Sequence, residues 1–324
     1  MEVRASGAAP LRAGVVGLGY LGSFHAKKYV QLGMEGLVDL RFLVDTKKEA
    51  FDSKGWPGSV RFSDRLEDMI GQVDVASVAT PTLAHFEVAK TLLENGIHVL
   101  IEKPVTKSIE EALELERLAK AKGLVVAIGH IERFNGAIVA VKDRVSDPRF
   151  IESLRLSPFQ VRGTDVDVLM DLMIHDLDLL GLFVQEPLES LEAIGVPVLS
   201  QNIDIANVRL RFGSGLITQF TASRVSRERH RKMRIFTPDG YYSIDFLNQS
   251  VEIIERGQLE TTHEIRAEQL LFPKTDALLA EIEDFLLAVL QKSPPRATIE
   301  DATRTLKLVQ AVQTFLKDHP TFPV

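Results

Sequence analysis

The 324-residue chain contains no cysteine, only one tryptophan and no apolar run that approaches the length of a membrane span. The absence of cysteine excludes disulfide bonds, thiolate catalysis and cysteine–zinc sites. The absence of a long apolar run excludes a transmembrane helix. Residues 1–10 also lack the continuous apolar core of a secretory signal. We therefore expect a soluble, cytoplasmic protein.

An excess of positive charge is also missing. The net charge is −7 at pH 7 and the sequence pI is about 5.7, which argues against a general affinity for nucleic acid or for a membrane surface. The shares of hydrophobic (45%) and charged (26%) residues exclude disordered and fibrous classes, and the length predicts two domains. His25, His85 and His130 stand in separate motifs without the spacing of metal ligands, so no metal site is predicted.

The first part of the chain alternates strand and helix signals. A capping box at Ser108–Glu111 begins a helix that ends before Gly123. The alternation predicts a doubly wound parallel sheet, a Rossmann domain, over residues 1–130. The predicted strands are 13–18, 37–44, 60–62, 73–79, 97–101 and 124–128, and the predicted helices are 21–32, 63–70, 85–95 and 108–122.

The pattern changes near residue 150 to short strands separated by turn residues. It predicts an α+β domain over residues 131–324, built on a large, mostly antiparallel open sheet. A broad half-buried sheet face usually binds a partner, so we expect a homodimer or homotetramer. The predicted strands are 150–156, 191–196, 203–212, 216–222, 233–237, 241–246 and 251–255, and helices are predicted at 275–291 and 298–317.

A glycine motif, Gly17-Leu-Gly-Tyr-Leu-Gly22, directly follows the first predicted strand and opens the first helix. In such a turn the first glycine permits the bend, the second lets the backbone approach a pyrophosphate, and the third packs helix against strand. Asp45 ends the second predicted strand, where an acid binds the ribose 2′-hydroxyl and repels a 2′-phosphate. Asp45 could also be an ordinary turn acid, and lysines at 47 and 48 could hold a 2′-phosphate. The pattern favours NAD, with NADP less favoured.

The segment Val168–Leu180 is apolar except for a few charged residues. Three of them, Asp171, His175 and Asp178, stand at i, i+4 and i+7, on one face of an α-helix. A buried stripe of this kind is costly unless its members are paired or face a cavity. Asp and His together suit proton transfer near neutral pH. The alternative is a core histidine satisfied by a neighbouring aspartate.

Five motifs in this order resemble the glucose–fructose oxidoreductase, inositol dehydrogenase and MocA (Gfo/Idh/MocA) family. The resemblance implies a Rossmann domain followed by an open-sheet domain, NAD(P) as cofactor, and hydride transfer at a sugar or polyol carbon. The motifs are Gly17-Leu-Gly-Tyr-Leu-Gly-Ser-Phe-His25, Ala79-Thr-Pro-Thr-Leu-Ala-His85, Glu102-Lys-Pro104, Gly129-His-Ile-Glu-Arg-Phe-Asn135 and Asp171-x-x-x-His175.

The resemblance also implies roles for single residues. Lys103, Asp171 and His175 match the family's catalytic residues: His175 as the base, Lys103 as the group that stabilises the alkoxide-like oxygen, and Asp171 as the residue that orients them. It places residues 79–81 at the nicotinamide ribose, and residues 102 and 103 beside the nicotinamide. Together with the glycine motif, the predicted cofactor residues are Gly17, Gly19, Tyr20, Leu21, Gly22, Asp45, Ala79, Thr80, Pro81, His85, Glu102 and Lys103.

The substrate is the least defined part. The motif around Gly129–Asn135 and the Asp-Leu-Met-Ile-His core look more like members that act on nucleotide-linked amino sugars, such as UDP-N-acetylglucosamine 3-dehydrogenases. Residues 165–168 and Met173 replace glycines found in many relatives, so polyol specificity is not carried over. The predicted substrate residues are Arg133, Asn135, Arg162, Asp171 and His175.

A strongly basic run, Arg224–Arg234, interrupts this acidic sequence. It is either a solvated face or subunit contact, or a place where arginines grip a substrate pyrophosphate by bidentate bonds. Two other functions stay open. One is a free sugar or polyol dehydrogenase, and the other is a non-catalytic dinucleotide-sensing regulator, which the intact catalytic trio disfavours.

Overall fold

The computed structural model describes residues 9–52, 55–160, 166–257 and 265–320. The chain forms two compact units. The first contains the described residues up to His130 together with Leu278–Thr303, and the second contains Ile131–Ala277 and the chain from Arg304 onward. Within the described ranges, no helix is both long enough and apolar enough to span a bilayer.

The first unit is built on a six-stranded sheet in which every strand pair is parallel. The strand order is β3-β2-β1-β4-β5-β6. This is the doubly wound order, so the predicted Rossmann sheet is confirmed. The strands are β1 (Leu11–Val16), β2 (Val38–Val44), β3 (Arg61–Ser63), β4 (Val75–Val78), β5 (His98–Ile101) and β6 (Val126–Ile128), and the helices are α1 (Tyr20–Met34), α2 (Glu49–Asp52), α3 (Thr82–Glu94) and α4 (Ile109–Lys122), with a 3₁₀ turn at Leu66–Met69.

Helix α7 (Ala277–Gln291) contributes its apolar face to the core of this first unit. Ile282, Phe285 and Leu286 are buried in the same cluster as Ala13 and Val15 of β1. The chain therefore returns to the first unit at Leu278–Thr303, whereas the sequence pattern assigned all residues after 130 to the second domain. An amphipathic pattern shows that a helix face is buried, but it does not show which core buries it.

The second unit contains an eight-stranded sheet in the order β14-β13-β12-β11-β7-β10-β9-β8. Only β7 and β10 pair in parallel among these strands, so the prediction of a large, mostly antiparallel sheet is confirmed. The strands are β7 (Phe150–Leu156), β8 (Leu188–Val196), β9 (Ile205–Phe212), β10 (Ile217–Ser223), β11 (His230–Phe236), β12 (Gly240–Asp245), β13 (Ser250–Arg256) and β14 (Ile265–Leu271); the other elements are a 3₁₀ turn (Ile131–Phe134), α5 (Gly136–Val141), a π-helical turn (Leu169–Met173), α6 (Ile174–Leu180) and α8 (Ile299–Asp318).

One strand and one α-helix of the second unit were not predicted. Strand β14 lies at the edge of the sheet and is mostly exposed, so its sequence shows no buried alternation. Helix α5 is one and a half turns long, too short for an amphipathic stripe to be recognised. The alternation of buried and exposed residues therefore predicted most strands, whereas an exposed edge strand and a very short helix gave no periodic signal.

Candidate active site

The glycine motif forms the turn between β1 and α1. Gly17 has φ +90°, and a Cβ there would lie 2.7 Å from the Ala79 backbone; a Cβ on Gly22 would lie 1.7 Å from the Gly17 carbonyl oxygen. The packing of the protein itself therefore requires these two glycines. Gly19 differs, because no atom lies within 4 Å of its ideal Cβ position. Gly19 stands at the N-terminus of α1, where open space allows an anion to approach the backbone.

Asp45 follows β2 and is held beside this turn. Its carboxylate accepts hydrogen bonds from the backbone N–H groups of Leu18 (2.6 Å) and Lys47 (2.8 Å). Because a carboxylate has about four acceptor positions, Asp45 retains the capacity to accept ribose hydroxyl groups. The predicted ribose acid is thus fixed to the predicted pyrophosphate turn.

The loops after β4 and β5 are joined by His85 of α3. One ring nitrogen of His85 lies 2.9 Å from the Thr80 carbonyl oxygen, and the other lies 2.9 Å from the Pro104 carbonyl oxygen. The Thr80 hydroxyl oxygen is buried without a hydrogen-bond partner among the described residues. Such a group is costly unless a ligand satisfies it. Open space at Gly19 and this buried hydroxyl both fit a dinucleotide bound along the carboxyl ends of the strands.

Glu102 and Lys103 directly follow β5. Glu102 is buried, and its carboxylate lies 2.8 Å from His25 Nε2. Burial alone would raise the pKa of Glu102, but the hydrogen bond from His25 and the positive charge of Lys103 hold that pKa below its ordinary value. The Lys103 backbone N–H donates to the same carboxylate at 3.3 Å. Lys103, the predicted catalytic lysine, is partly exposed at this edge of the sheet.

In the second unit, the predicted polar stripe crosses a change of helix type. Leu169–Met173 is a π-helical turn and α6 begins at Ile174, so the α-helical spacing does not hold across Asp171, His175 and Asp178. Asp171 and His175 are partly exposed, whereas Asp178 is fully buried. The change of helix type therefore falls between Asp171 and His175, whereas His175 and Asp178 stay three residues apart within α6. Asp171 and His175 keep the accessibility that proton transfer requires.

Asp178 is buried because it pairs with Arg133. The guanidinium donates to both carboxylate oxygens, at 2.8 and 2.7 Å. Asn135, another predicted substrate residue, is also buried: its side chain caps α5 by accepting from the Ala137 N–H, and it donates to the Phe246 carbonyl. The geometry therefore favours positioning roles for Arg133 and Asn135 over substrate contact.

A second buried pair was not predicted from the sequence. Arg155 of β7 binds both carboxylate oxygens of Asp176, at 2.8 and 2.9 Å, and also Glu132 at 2.8 Å. Burial alone would lower the pKa of Arg155, but the charges of Asp176 and Glu132 raise it above the ordinary value. The available signal was an arginine at a core-facing position of β7, in phase with Ile151 and Ser153.

The basic run divides between different environments. Arg224 is buried and bound to Asp204 at 2.7 Å. On β11, Arg234 is ion-paired with Glu152. Arg231 lies on the other face of the same strand, the face that carries the buried residues Met233 and Ile235. The remaining predicted substrate residue, Arg162, lies outside the described residues. Over the ranges that the structure describes, there is no group of three or more histidine or acidic residues arranged to hold a metal ion.

Comparison with known proteins gives a consistent result for both units. Residues 11–130 match the oxidoreductase family with an NAD-binding Rossmann fold, and residues 134–243 match the Gfo/Idh/MocA C-terminal domain. The chain is 39% identical to UDP-N-acetylglucosamine 3-dehydrogenase of Acidithiobacillus ferrooxidans, over 88% of this chain and 90% of that protein. The structure of that enzyme superposes with a TM-score of 0.85 at 37% identity, covering 94% of this chain and 97% of the other.

More distant relatives act on different substrates. The chain is 27% identical to dTDP-3,4-didehydro-2,6-dideoxy-α-D-glucose 3-reductase of Actinomadura kijaniata, over 84% of this chain and 89% of that protein. It is 24% identical to scyllo-inositol 2-dehydrogenase (NAD⁺) of Bacillus subtilis, over 96% of this chain and 95% of that protein. Of these three enzymes, the chain is most similar to the UDP-N-acetylglucosamine 3-dehydrogenase, and its similarity to the other two is comparable.

We predict that Gly19→Ala folds normally but binds NAD roughly 10- to 100-fold more weakly, because an added methyl group occupies the approach to the backbone at a cost of about 1–3 kcal/mol. Calorimetric titration with NAD measures the affinity, and a thermal melt shows whether the variant folds normally. Gly58→Ala is the control, since it too has open space around its Cβ position but lies outside the glycine turn. Unchanged NAD affinity in Gly19→Ala would contradict the placement of the pyrophosphate.

Proposed function

Since this chain belongs to the Gfo/Idh/MocA family of oxidoreductases, we propose that it oxidises a secondary alcohol of a UDP-linked amino sugar, with NAD rather than NADP as acceptor. The observation that carries the proposal is the 39% identity to UDP-N-acetylglucosamine 3-dehydrogenase over 88% of the chain. Lys103, Asp171 and His175 are all present, and each is partly exposed. A non-catalytic sensor would not need these three residues.

The proposed chemistry removes a hydride from the carbinol carbon and a proton from its hydroxyl. When bound, NAD⁺ accepts the hydride. His175 accepts the hydroxyl proton, since an imidazole titrates near neutral pH. Lys103 donates a hydrogen bond to the oxygen and stabilises its negative charge as the C–H bond breaks. Asp171 precedes His175 by four residues and orients the imidazole. The products are the keto sugar, NADH and a proton on His175.

Arg231 is our candidate for the substrate's pyrophosphate. It is paired across the strands with Arg155 and lies 3.6 Å from Glu132, the carboxylate that Arg155 already binds at 2.8 Å. Burial and the charge of Arg155 lower the pKa of Arg231. Asp176 and Glu132 together balance the two guanidinium groups, and Arg231 makes only the longer contact with Glu132, so it can turn to an anion while Arg155 stays paired.

The alternative substrate is a free polyol, and one observation favours it. The chain matches scyllo-inositol 2-dehydrogenase over 96% of its length, although at only 24% identity. Initial rates of NADH formation with UDP-N-acetylglucosamine, N-acetylglucosamine and inositols separate the two hypotheses. Turnover of inositol without turnover of the UDP-sugar would replace the proposed substrate.

We also propose that the chain forms a homodimer or homotetramer through the outward face of the eight-stranded sheet. Leu154 and Ile194 are exposed on that face, and the strand register places them in one row with Asn207 and Thr221 between them. Exposed apolar side chains within a broad sheet favour a partner surface. Light scattering gives the assembly mass.

We predict that His175→Ala lowers turnover by roughly 10²- to 10⁴-fold, the usual contribution of a positioned base. Lys103→Ala should lower it by about 10²- to 10³-fold, because the developing oxyanion loses its donor. Steady-state rates of NADH formation measure both effects. Calorimetry should show that His175→Ala still binds NAD. Near-normal turnover in either variant would contradict the assigned site.

We predict that Asp45→Ala narrows the preference for NAD over NADP by roughly 10- to 100-fold, because a charge-assisted hydrogen bond of about 1.5–3 kcal/mol to the ribose is lost together with repulsion of a 2′-phosphate. The ratio of the two dissociation constants gives the result. Asp39→Ala, an acid on the same strand paired with Arg41, should leave the ratio unchanged. Equal affinity for both cofactors in the unaltered protein would contradict the role of Asp45.

We predict that Arg231→Met raises the KM for UDP-N-acetylglucosamine by roughly 10-fold or more, since a charge-assisted bond is worth about 1.5–3 kcal/mol, with little change in kcat. Binding of the UDP-sugar should weaken with added salt, and the variant should show a smaller salt dependence. Arg234→Met is the matched control, because it removes an arginine from the opposite face of the same strand. Equal effects of the two substitutions would exclude Arg231 as the phosphate ligand.

A further inference from the structure

A continuous chain of buried polar groups leads from the core of the first unit to Glu102. The Tyr29 hydroxyl lies 3.0 Å from Ser77 Oγ, Ser77 Oγ lies 3.0 Å from His25 Nδ1, and His25 Nε2 lies 2.8 Å from the Glu102 carboxylate. Tyr29, Ser77 and His25 are fully buried, and Glu102 is 6% exposed. The chain joins α1, β4 and the end of β5. The catalytic roles assigned above do not use Tyr29, Ser77 or His25.

One direction of the hydrogen bonds satisfies every contact of this chain. Burial raises the pKa of Tyr29, so its hydroxyl stays protonated and has a hydrogen to donate to Ser77. Ser77 then donates to His25 Nδ1, and His25 donates its Nε2–H to the carboxylate. In this arrangement the imidazole is neutral, and a full negative charge remains on Glu102. The tyrosine and serine therefore select the histidine tautomer that solvates that charge.

The position of Glu102 places its negative charge near one end of a bound dinucleotide. Strands β4, β5 and β6 form the half of the doubly wound sheet opposite the half that ends in Asp45. A dinucleotide extends across the carboxyl ends of both halves, so the ring farthest from the Asp45 ribose lies over the ends of β4 and β5. Glu102 is the first residue after β5. The ring at that end is cationic in NAD⁺ and neutral in NADH.

We propose that Tyr29, Ser77 and His25 form a directed hydrogen-bond chain that keeps Glu102 ionised beside the nicotinamide, and that this buried charge makes the protein bind NAD⁺ in preference to NADH. An anion held in a poorly solvated site attracts the oxidised ring and has no comparable attraction for the reduced one. The chain thereby favours the direction in which NAD⁺ is consumed, and it promotes release of NADH. His25, Ser77 and Tyr29 are positioning residues that act through Glu102.

The test compares three ligands that differ only in the ring. NAD⁺, NADH and ADP-ribose, which lacks the nicotinamide, are titrated calorimetrically into the unaltered protein and into Glu102→Gln. We expect the ratio of the NADH and NAD⁺ dissociation constants to fall about tenfold in the variant, from loss of one nearby charge at intermediate dielectric. The affinity for ADP-ribose should stay within about twofold, since a distant neutral substitution leaves its contacts intact.

Two further variants test the hydrogen-bond chain that supports the Glu102 charge and provide a control. Ser77→Ala removes the hydroxyl that donates to His25 and should lower the same ratio about two- to fivefold, the worth of one neutral hydrogen bond. Asp74→Asn neutralises a carboxylate at the amino end of β4, opposite the carboxyl ends where the cofactor is expected; Asp74 binds Arg12 there, and the substitution should leave the ratio unchanged. An unchanged ratio in Glu102→Gln or in Ser77→Ala, or an equal fall in Asp74→Asn, would overturn the proposal. Loss of ADP-ribose binding as well would assign Glu102 to folding of the site.

Discussion

The buried guanidinium of Arg155 is the constraint on which the second unit depends. An arginine is among the most costly side chains to remove from water, and Arg155 is among the largest fully buried side chains of the protein. It is tolerated because Asp176 receives it in a bidentate bond and Glu132 binds its third nitrogen. The pair ties β7 to α6 at the residue that follows His175. The pair therefore fixes the backbone of α6 next to His175.

Two other buried carboxylates have a buried basic partner. Asp178, two residues further along α6, is bound in a bidentate pair by Arg133 of the 3₁₀ turn. Glu102 in the first unit is stabilised by His25 in place of an arginine. A guanidinium neutralises its carboxylate, whereas a neutral imidazole solvates the carboxylate and leaves its charge in place. The first kind of pair suits a scaffold, and the second suits a position where a charged ligand ring is to be recognised.

The sequence predicted what depends on local rules and missed what depends on tertiary packing. The glycine turn and the end of α4 could be foreseen, because Gly17 and Gly123 adopt positive φ and Ser108 caps α4. The partner of Arg155 could not, since 21 residues separate it from Asp176. The π-helical turn before α6 was also missed, because no local residue signal distinguishes it from an α-helix.

The partners of the predicted arginines indicate which of them can bind a substrate phosphate. Arg133 and Arg224 stand in segments rich in polar residues, and the sequence alone made them equal to Arg231. Each of the first two donates to a fully buried carboxylate, so binding a phosphate would leave Asp178 or Asp204 uncompensated. Arg231 shares a carboxylate that already has a stronger partner. Recruiting Arg231 to an anion would leave no buried charge unpaired, and this asymmetry is why it is the arginine of the three that suits a reversible ligand.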